Sequence, residues 1–215
     1  MKLKKIASLM LAGVMAVSML AGCSGESNND NNGNKDDQNQ VVAASVADYA
    51  NSLMSDSQKN VFEFKNSSEL TAALQKVAGD STKFKSSEIE TVYDVIKTTI
   101  TDTQGDKDMT DALKDEMKLD QYGNEMTAQK DTHTAGYMYQ VSGKLTQASA
   151  VQLIVKNFVD YVFANDYFPA TGNGVKCDYS AEISAVKVTA PDNSGNSAWV
   201  VAIVVTQTGV ETNNA

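Results

Sequence analysis

Residues 199–205 read WVVAIVV, from Trp199 to Val205, and the reading of this stretch decides the fold. Apolar side chains on both of its faces predict a strand covered from both sides, since a half-exposed strand would alternate apolar with polar residues. One helix can cover one face. A second helix or a partner molecule must cover the other, which leaves Trp199–Val205 as a surface for self-association. Just upstream, Pro191-Asp192-Asn193-Ser194-Gly195-Asn196 supplies turn chemistry. Before that turn, Tyr179, Ala181, Ile183 and Ala185 alternate with Asp178, Ser180, Glu182 and Ser184, and then Val186 and Val188 become the apolar positions. A slip of one residue predicts a β-bulge. The C-terminal part therefore reads as a β-hairpin.

Working toward the N-terminus, Thr146 is placed to cap a helix running to about Asn165. Its apolar set (Val151, Leu153, Ile154, Val155, Phe158, Val159, Val162, Phe163) covers more than one stripe, which predicts a central, deeply buried helix. Tyr137, Tyr139 and Val141 alternate with Met138 and Gln140 and suggest a strand before Ser142-Gly143. Residues 120–135 are polar and carry no clear period.

Met109 to Leu119 reads as a thin helix. Ser87-Glu88-Ile89-Glu90 is a capping box opening a helix with Ile89, Val92, Tyr93, Ile96 and Ile100 on one face. Ser67 or Ser68 caps a helix through about Ala78, striped by Leu70, Ala73, Leu74 and Val77 and stopped by Gly79. Val61–Lys65 (VFEFK) alternates as a short strand would, and Val41 to about Gln58 has helical spacing. The predicted fold class is α+β, helix-rich in the N-terminal two thirds, with an antiparallel sheet built around the C-terminal β-hairpin. It forms one domain over residues 41–211, followed by a disordered tail at 212–215.

The other end of the chain carries an address. Lys2, Lys4 and Lys5 precede fifteen apolar-biased residues, Ile6–Leu20, a length that suits a signal peptide and falls short of the roughly 20 residues of a membrane span. The run ends in Leu20-Ala21-Gly22-Cys23. This tetrapeptide with its basic flank resembles the lipobox of bacterial lipoproteins. The resemblance covers the first 23 residues and implies that residues 1–22 are removed and that Cys23 becomes the first residue, carrying a covalent diacylglycerol. An ordinary secretory signal cut after Ala21 or Gly22 is the alternative.

Ser24–Gln40 (SGESNNDNNGNKDDQNQ) has no aliphatic or aromatic residue, so residues 23–40 read as a lipidated Cys followed by a disordered Asn/Asp-rich tether. Seventeen flexible residues average roughly 20–25 Å end to end. The implied location is the extracytoplasmic face of the cell membrane, held by lipid. The Lys-only basicity and the Asn/Asp-rich tether fit a low-GC Gram-positive cell.

Composition excludes several functions. All 18 basic residues are Lys, and removing Lys2, Lys4 and Lys5 takes the formal charge from −9 to −12. An acidic chain without Arg lacks both the basic face and the bidentate forks that nucleic-acid recognition uses. With Cys23 lipidated, the second of two Cys, Cys177, has no intramolecular partner, so a core must carry stability without a disulfide. Roughly 170 residues bury about 70% of their unfolded surface, sufficient for one domain. The chain is too short for a two-lobed solute-binding protein.

Motifs for chemistry are sparse. His133 is the only His, and with Cys177 it would form a thiol nucleophile and base, though its polar surroundings suit an exposed loop and a Cys at a strand start suits a small buried hydrophobe. One His and one Cys are too few for zinc. Asp102, Asp106, Asp108 and Asp111 crowd a turn containing Gly105, the nearest approach to a calcium loop, but they miss the EF-hand spacing and read first as solvated acids. No glycine-rich phosphate loop and no nucleophile elbow is present, so no catalytic residue and no cofactor are assigned.

Tyr137, Tyr139, Tyr161, Tyr167, Phe168 and Tyr179 cluster in the C-terminal half. Most suit a core. Tyr167 and Phe168, beyond a helix end and before Pro169, are the candidates for exposed, ligand-binding aromatics. The leading functional expectation is a non-enzymatic module binding an extracytoplasmic ligand or protein. The alternatives are a structural or assembly component of the envelope and a carboxylate-dependent envelope hydrolase.

Overall fold

The structure, a computed structural model, describes residues 45–84, 86, 89, 101–102, 107–192 and 194–212. In it, Trp199–Val205 forms the middle of the central strand. Strand β7 (Ser197–Glu211) lies between β6 (Val175–Thr189) and β4 (Asp131–Ser142), antiparallel to both. Around these three, β1 (Phe64–Asn66), β2 (Thr101–Asp102), β3 (Gln121–Tyr122) and β5 (Thr171–Gly172) complete a seven-stranded sheet in the order β1-β6-β7-β4-β2, with β3 on β4 and β5 on β6. The mixed α/β content is as expected, but the sheet is not wholly antiparallel. Strand β1 joins β6 in parallel and β3 joins β4 in parallel.

Both faces of β7 are covered by this chain's own helices. Trp199, Val201, Ile203 and Val205 share a core with Ala135, Tyr137, Ala181 and Ile183. Helix α5 (Gln147–Ala164) and helix α1 (Val46–Asn51) cover that face. Ala198, Val200, Ala202 and Val204 point the other way, into a core with Met138, Val186 and Val188. Helix α3 (Ser68–Ala78) and helix α4 (Lys107–Met117) cover that side. Every residue from Trp199 to Val205 is buried, so the place held open for a second helix or a partner on this strand is taken by α3 and α4.

The predicted bulge is absent. The β6–β7 register runs unbroken from Val175 opposite Glu211 to Thr189 opposite Ser197. Ala181 and Ile183 face the α5 core while Val186 and Val188 face the α3–α4 core. The apolar phase changes because the covering layer changes along the strand, and the pleat never slips. The turn uses the residues expected of it: Ser194 N donates to Asp192 Oδ1 at 3.1 Å, Asn196 N to Ser194 Oγ at 3.2 Å, and Gly195 takes φ +76°.

The helices obey their local signals with corrections. Ser67, not Ser68, caps α3, accepting from Leu70 N at 3.1 Å. Gly79 ends it with φ −80°, an ordinary helical value, so its freedom is not used. The stretch from Val41 does not form one helix: α1 stops at Asn51 and a separate α2 (Asp56–Lys59) begins after Ser55. Two capping boxes, Ser45 with Asp48 and Ser55 with Gln58, start two helices within one apolar window. Asn51, the last residue of α1, clamps β1 with its side-chain amide, donating to Phe64 O at 2.9 Å and accepting from Phe64 N at 2.8 Å.

Helix α5 begins at the Thr146 cap, which accepts from Ser149 N at 3.1 Å. It lies on the sheet, not inside the protein. Ile154, Phe158 and Val162 are buried, while Lys156, Asp160 and Tyr161 face outward and Lys156 pairs with Asp160 at 2.7 Å. Leu153 and Phe163, which suggested a second buried stripe, are half-buried at its rim. The expected signal peptide with Cys23, the expected tether, most of the Ser87–Glu90 sequence with the helix expected to run to Ile100, and residues 213–215 lie outside the described residues. Ile89 is described and is buried with Phe84 in the α3–α4 core.

Candidate functional site

The aromatic residues gather where α5 ends. Asn165 caps the helix, and Asp166, at φ +52°, turns the chain back across the α5 face of the sheet. That reversal separates the two aromatics that the sequence grouped as exposed. Phe168 goes inward and is 6% exposed, with ring centroids 5.4 Å from both Phe62 and Tyr179 and 6.5 Å from Phe158. It is a core residue. A left-handed residue two positions before it sends the side chain to the opposite side from the one a simple helix end implies.

Tyr167 stays at the surface, half-buried, and packs edge-on against Tyr161, with centroids 5.3 Å apart at 70°. The Tyr167 hydroxyl donates to the Tyr161 hydroxyl at 3.2 Å, and this bond pushes the Tyr167 hydroxyl up to about 12. Tyr161 is 54% exposed, among the largest exposed apolar side chains of the described residues. The sequence reading counted it with the core aromatics. Its phase was the available signal, since it follows Asn157 by four residues on the polar face of α5, away from Phe158 and Val162. The pair presents two ring faces and two hydroxyls at one corner, held by a helix end. Such a surface stacks on a sugar ring or an apolar side chain while bonding a polar group.

Tyr137 and Tyr179 serve the core. Tyr137 is buried against Phe158, with centroids 5.0 Å apart, and burial raises its pKa. Tyr179 donates to Pro169 O at 2.9 Å, and burial pushes its hydroxyl up to about 12.

His133 and Cys177 are not brought together. His133 stands opposite Gln207, and Cys177 opposite Gly209, on the two neighbours of β7. A whole strand lies between them, roughly 9–10 Å across the sheet at the usual spacing, and their positions are offset by two residues along it as well. His133 instead bonds Lys130 O through Nε2 at 2.9 Å, and Cys177 is buried beside Ala128 and Val175.

Of the calcium candidates, Asp102 lies on β2, Asp108 in the first turn of α4, and Asp106 outside the described residues. Among the described residues no group of three or more His, Cys, Asp or Glu side chains gathers. Asp48, Asp80 and Asp192 have pKa values held below the usual carboxylate range by hydrogen bonds from Ser45, Thr82 and Ser194. These three carboxylates organise a helix start and two turns. No described helix is long and apolar enough to cross a membrane. Compared with family models, curated proteins and solved structures, the chain matches none.

Proposed function

We propose that this chain is a lipid-anchored extracytoplasmic module, held by Cys23 and lifted from the membrane by residues 24–40, that binds a ligand or protein through the Tyr161–Tyr167 corner without catalysing a reaction. The observation that carries the reading is Leu20-Ala21-Gly22-Cys23 at the end of a Lys-flanked apolar run. The exposed tyrosine pair supports the choice of surface. The first two thirds of the domain are taken as helix-rich, on the helical spacing of Ile89, Val92, Tyr93, Ile96 and Ile100. Two acyl chains hold a protein at a membrane where one is marginal, at about 0.8 kcal/mol per buried methylene.

In cells fed labelled palmitate, the full chain takes up label and sediments with membranes, and Cys23→Ser loses both. Equal membrane association of Cys23→Ser would end the anchor assignment. For the surface, a thermal-shift panel of peptidoglycan fragments, oligosaccharides, peptides, divalent cations and haem is run on the full-length Cys23→Ser chain. A ligand at a hundred times its Kd adds about 2.7 kcal/mol, and Tyr161→Ala with Tyr167→Ala abolishes that shift. A ligand whose shift survives both substitutions binds elsewhere.

A role in envelope assembly has one observation in its favour. The outer edge of β6 from Ser184 to Thr189 has no strand partner among the described residues, and such an edge accepts a strand from another molecule. Crosslinking on intact cells that captures repeated copies or one envelope protein through this edge would favour it over the tyrosine corner.

A further inference from the structure

Residues 124–130 cross the α5 side of the sheet without joining it as a strand or forming a helix. Gly123 at φ +70° and Asp131 at φ +71° bound the segment. Its attachments run chiefly from side chains of the sheet to its main chain. Tyr137 donates its hydroxyl hydrogen to Asn124 O at 2.9 Å, and Gln207 Nε2 donates to Thr127 O at 3.1 Å. Gln129 N donates to Gln207 Oε1 at 3.3 Å, and Met126 N donates to Tyr167 O at 3.0 Å.

Gln207 is completely buried and also donates to the Tyr179 hydroxyl at 2.9 Å, so one amide joins the segment to the sheet. Gly209 lacks the side chain that would collide with the Gln129 carbonyl. Apolar support is thin: Met126 reaches the main core, and Ala128 forms a cluster of three with Val175 and Cys177. The Lys130–Glu211 pair at 3.2 Å is more than half exposed on both sides and holds little.

Gln121 Nε2 adds bonds to Asn124 O at 3.2 Å and Glu125 O at 3.1 Å, and Asn173 Nδ2 adds one to Ala128 O at 3.5 Å. A segment fastened mainly by side-chain bonds over little apolar area opens at free energies well below that of the whole domain. We propose that residues 124–130 form a strap that opens as a unit, separately from the rest of the domain, with Gln207 as its latch. Open, the strap uncovers Cys177 and bares Tyr137, Gln207 and the Gly209 slot, a set already arranged to bond a polypeptide main chain. This inference does not rest on the Tyr161–Tyr167 reading, since strap opening is measured without any ligand.

The full chain with Cys23→Ser leaves Cys177, buried beneath Ala128, as the one thiol. Its reaction with 5,5′-dithiobis(2-nitrobenzoate) is followed at urea concentrations below the unfolding transition. The expected rate is nearly flat with urea, because strap opening exposes little surface. Tyr137→Phe, which removes one strap bond far from the β6 end, speeds it about three- to tenfold. Leu74→Ala, in the core of the opposite face, leaves it unchanged. The proposal is overturned if the rate climbs with urea along the line of global unfolding, if Leu74→Ala speeds labelling, or if Tyr137→Phe does not. Should either variant fail to fold, the urea profile of the parent chain decides alone.

Discussion

Phe158→Ala lowers the free energy of unfolding by about 3–5 kcal/mol, the range for truncating a large buried aromatic. Phe158 is 1% exposed and stands at the middle of α5, where it faces the sheet. Its ring touches Tyr137 at 5.0 Å, Tyr139 at 6.3 Å, Phe64 at 6.4 Å and Phe168 at 6.5 Å between centroids. These neighbours come from β4, from β1 and from the loop after α5, and secondary structure fixes most of them, so the site cannot collapse to fill the space. Urea unfolding read by Trp199, the single tryptophan, measures the loss. Phe163→Ala, at the half-buried rim of the same helix, costs much less. A loss at Phe158 under about 1.5 kcal/mol would mean that this layer repacks freely, contrary to the interlocked rings described above.

Gly209→Ala costs about 1–3 kcal/mol, the usual range for forcing extra volume into a packed place. A Cβ at this position would overlap the Gln129 carbonyl oxygen and stand 2.9 Å from Val175 Cγ1. Gly209 sits in β7 with β4 on one side and β6 on the other, opposite Asp131 and Cys177. The sheet is held by ladders on both sides while the strap is held by side chains, so the strap yields. The same substitution therefore speeds labelling of Cys177 by at least about tenfold, with the β6–β7 ladder intact by amide exchange. Unchanged labelling together with a destabilised ladder would show that the sheet gave way instead.

The elements legible in the sequence are those whose signals lie within a few residues. Ser67 before Leu70 and Thr146 before Ser149 are side chains that bond an amide three positions on, and any chain carrying them at a helix start finds the same bond. Tyr137, Tyr139 and Val141 alternate because a strand turns every second side chain to one face. The same locality misled where two signals overlapped. Ser45 and Ser55 both open helices within a window whose apolar spacing suited one. Val186 displaced the apolar phase of β6 as a bulge would, although a change of covering helix produced it.

The candidate site was less legible than the fold. Tyr167 stays at the surface while its neighbour Phe168 is sealed among Phe62, Phe158 and Tyr179. Adjacent aromatics differ here because Asp166 adopts a left-handed backbone, which residue type permits but does not dictate. Gln207 and Gly209 carried no signal at all. They acquire meaning only when a segment some 80 residues earlier lies across them.

The sequence by itself determined the Lys-flanked apolar run that ends in Leu20-Ala21-Gly22-Cys23, the polar composition of residues 24–40, the Lys-only charge, the caps of α3 and α5, and the need to cover both faces of Trp199–Val205. Each is a property of neighbouring residues or of composition. Only the tertiary structure decided that α3 and α4 cover the second face, that β1 and β3 join in parallel, that a strand separates His133 from Cys177, and that Tyr161 pairs with Tyr167 at the surface. Those outcomes depend on which distant segments meet. The apolar pattern states how much surface must be buried, while the meeting itself is chosen by the packing of all layers at once.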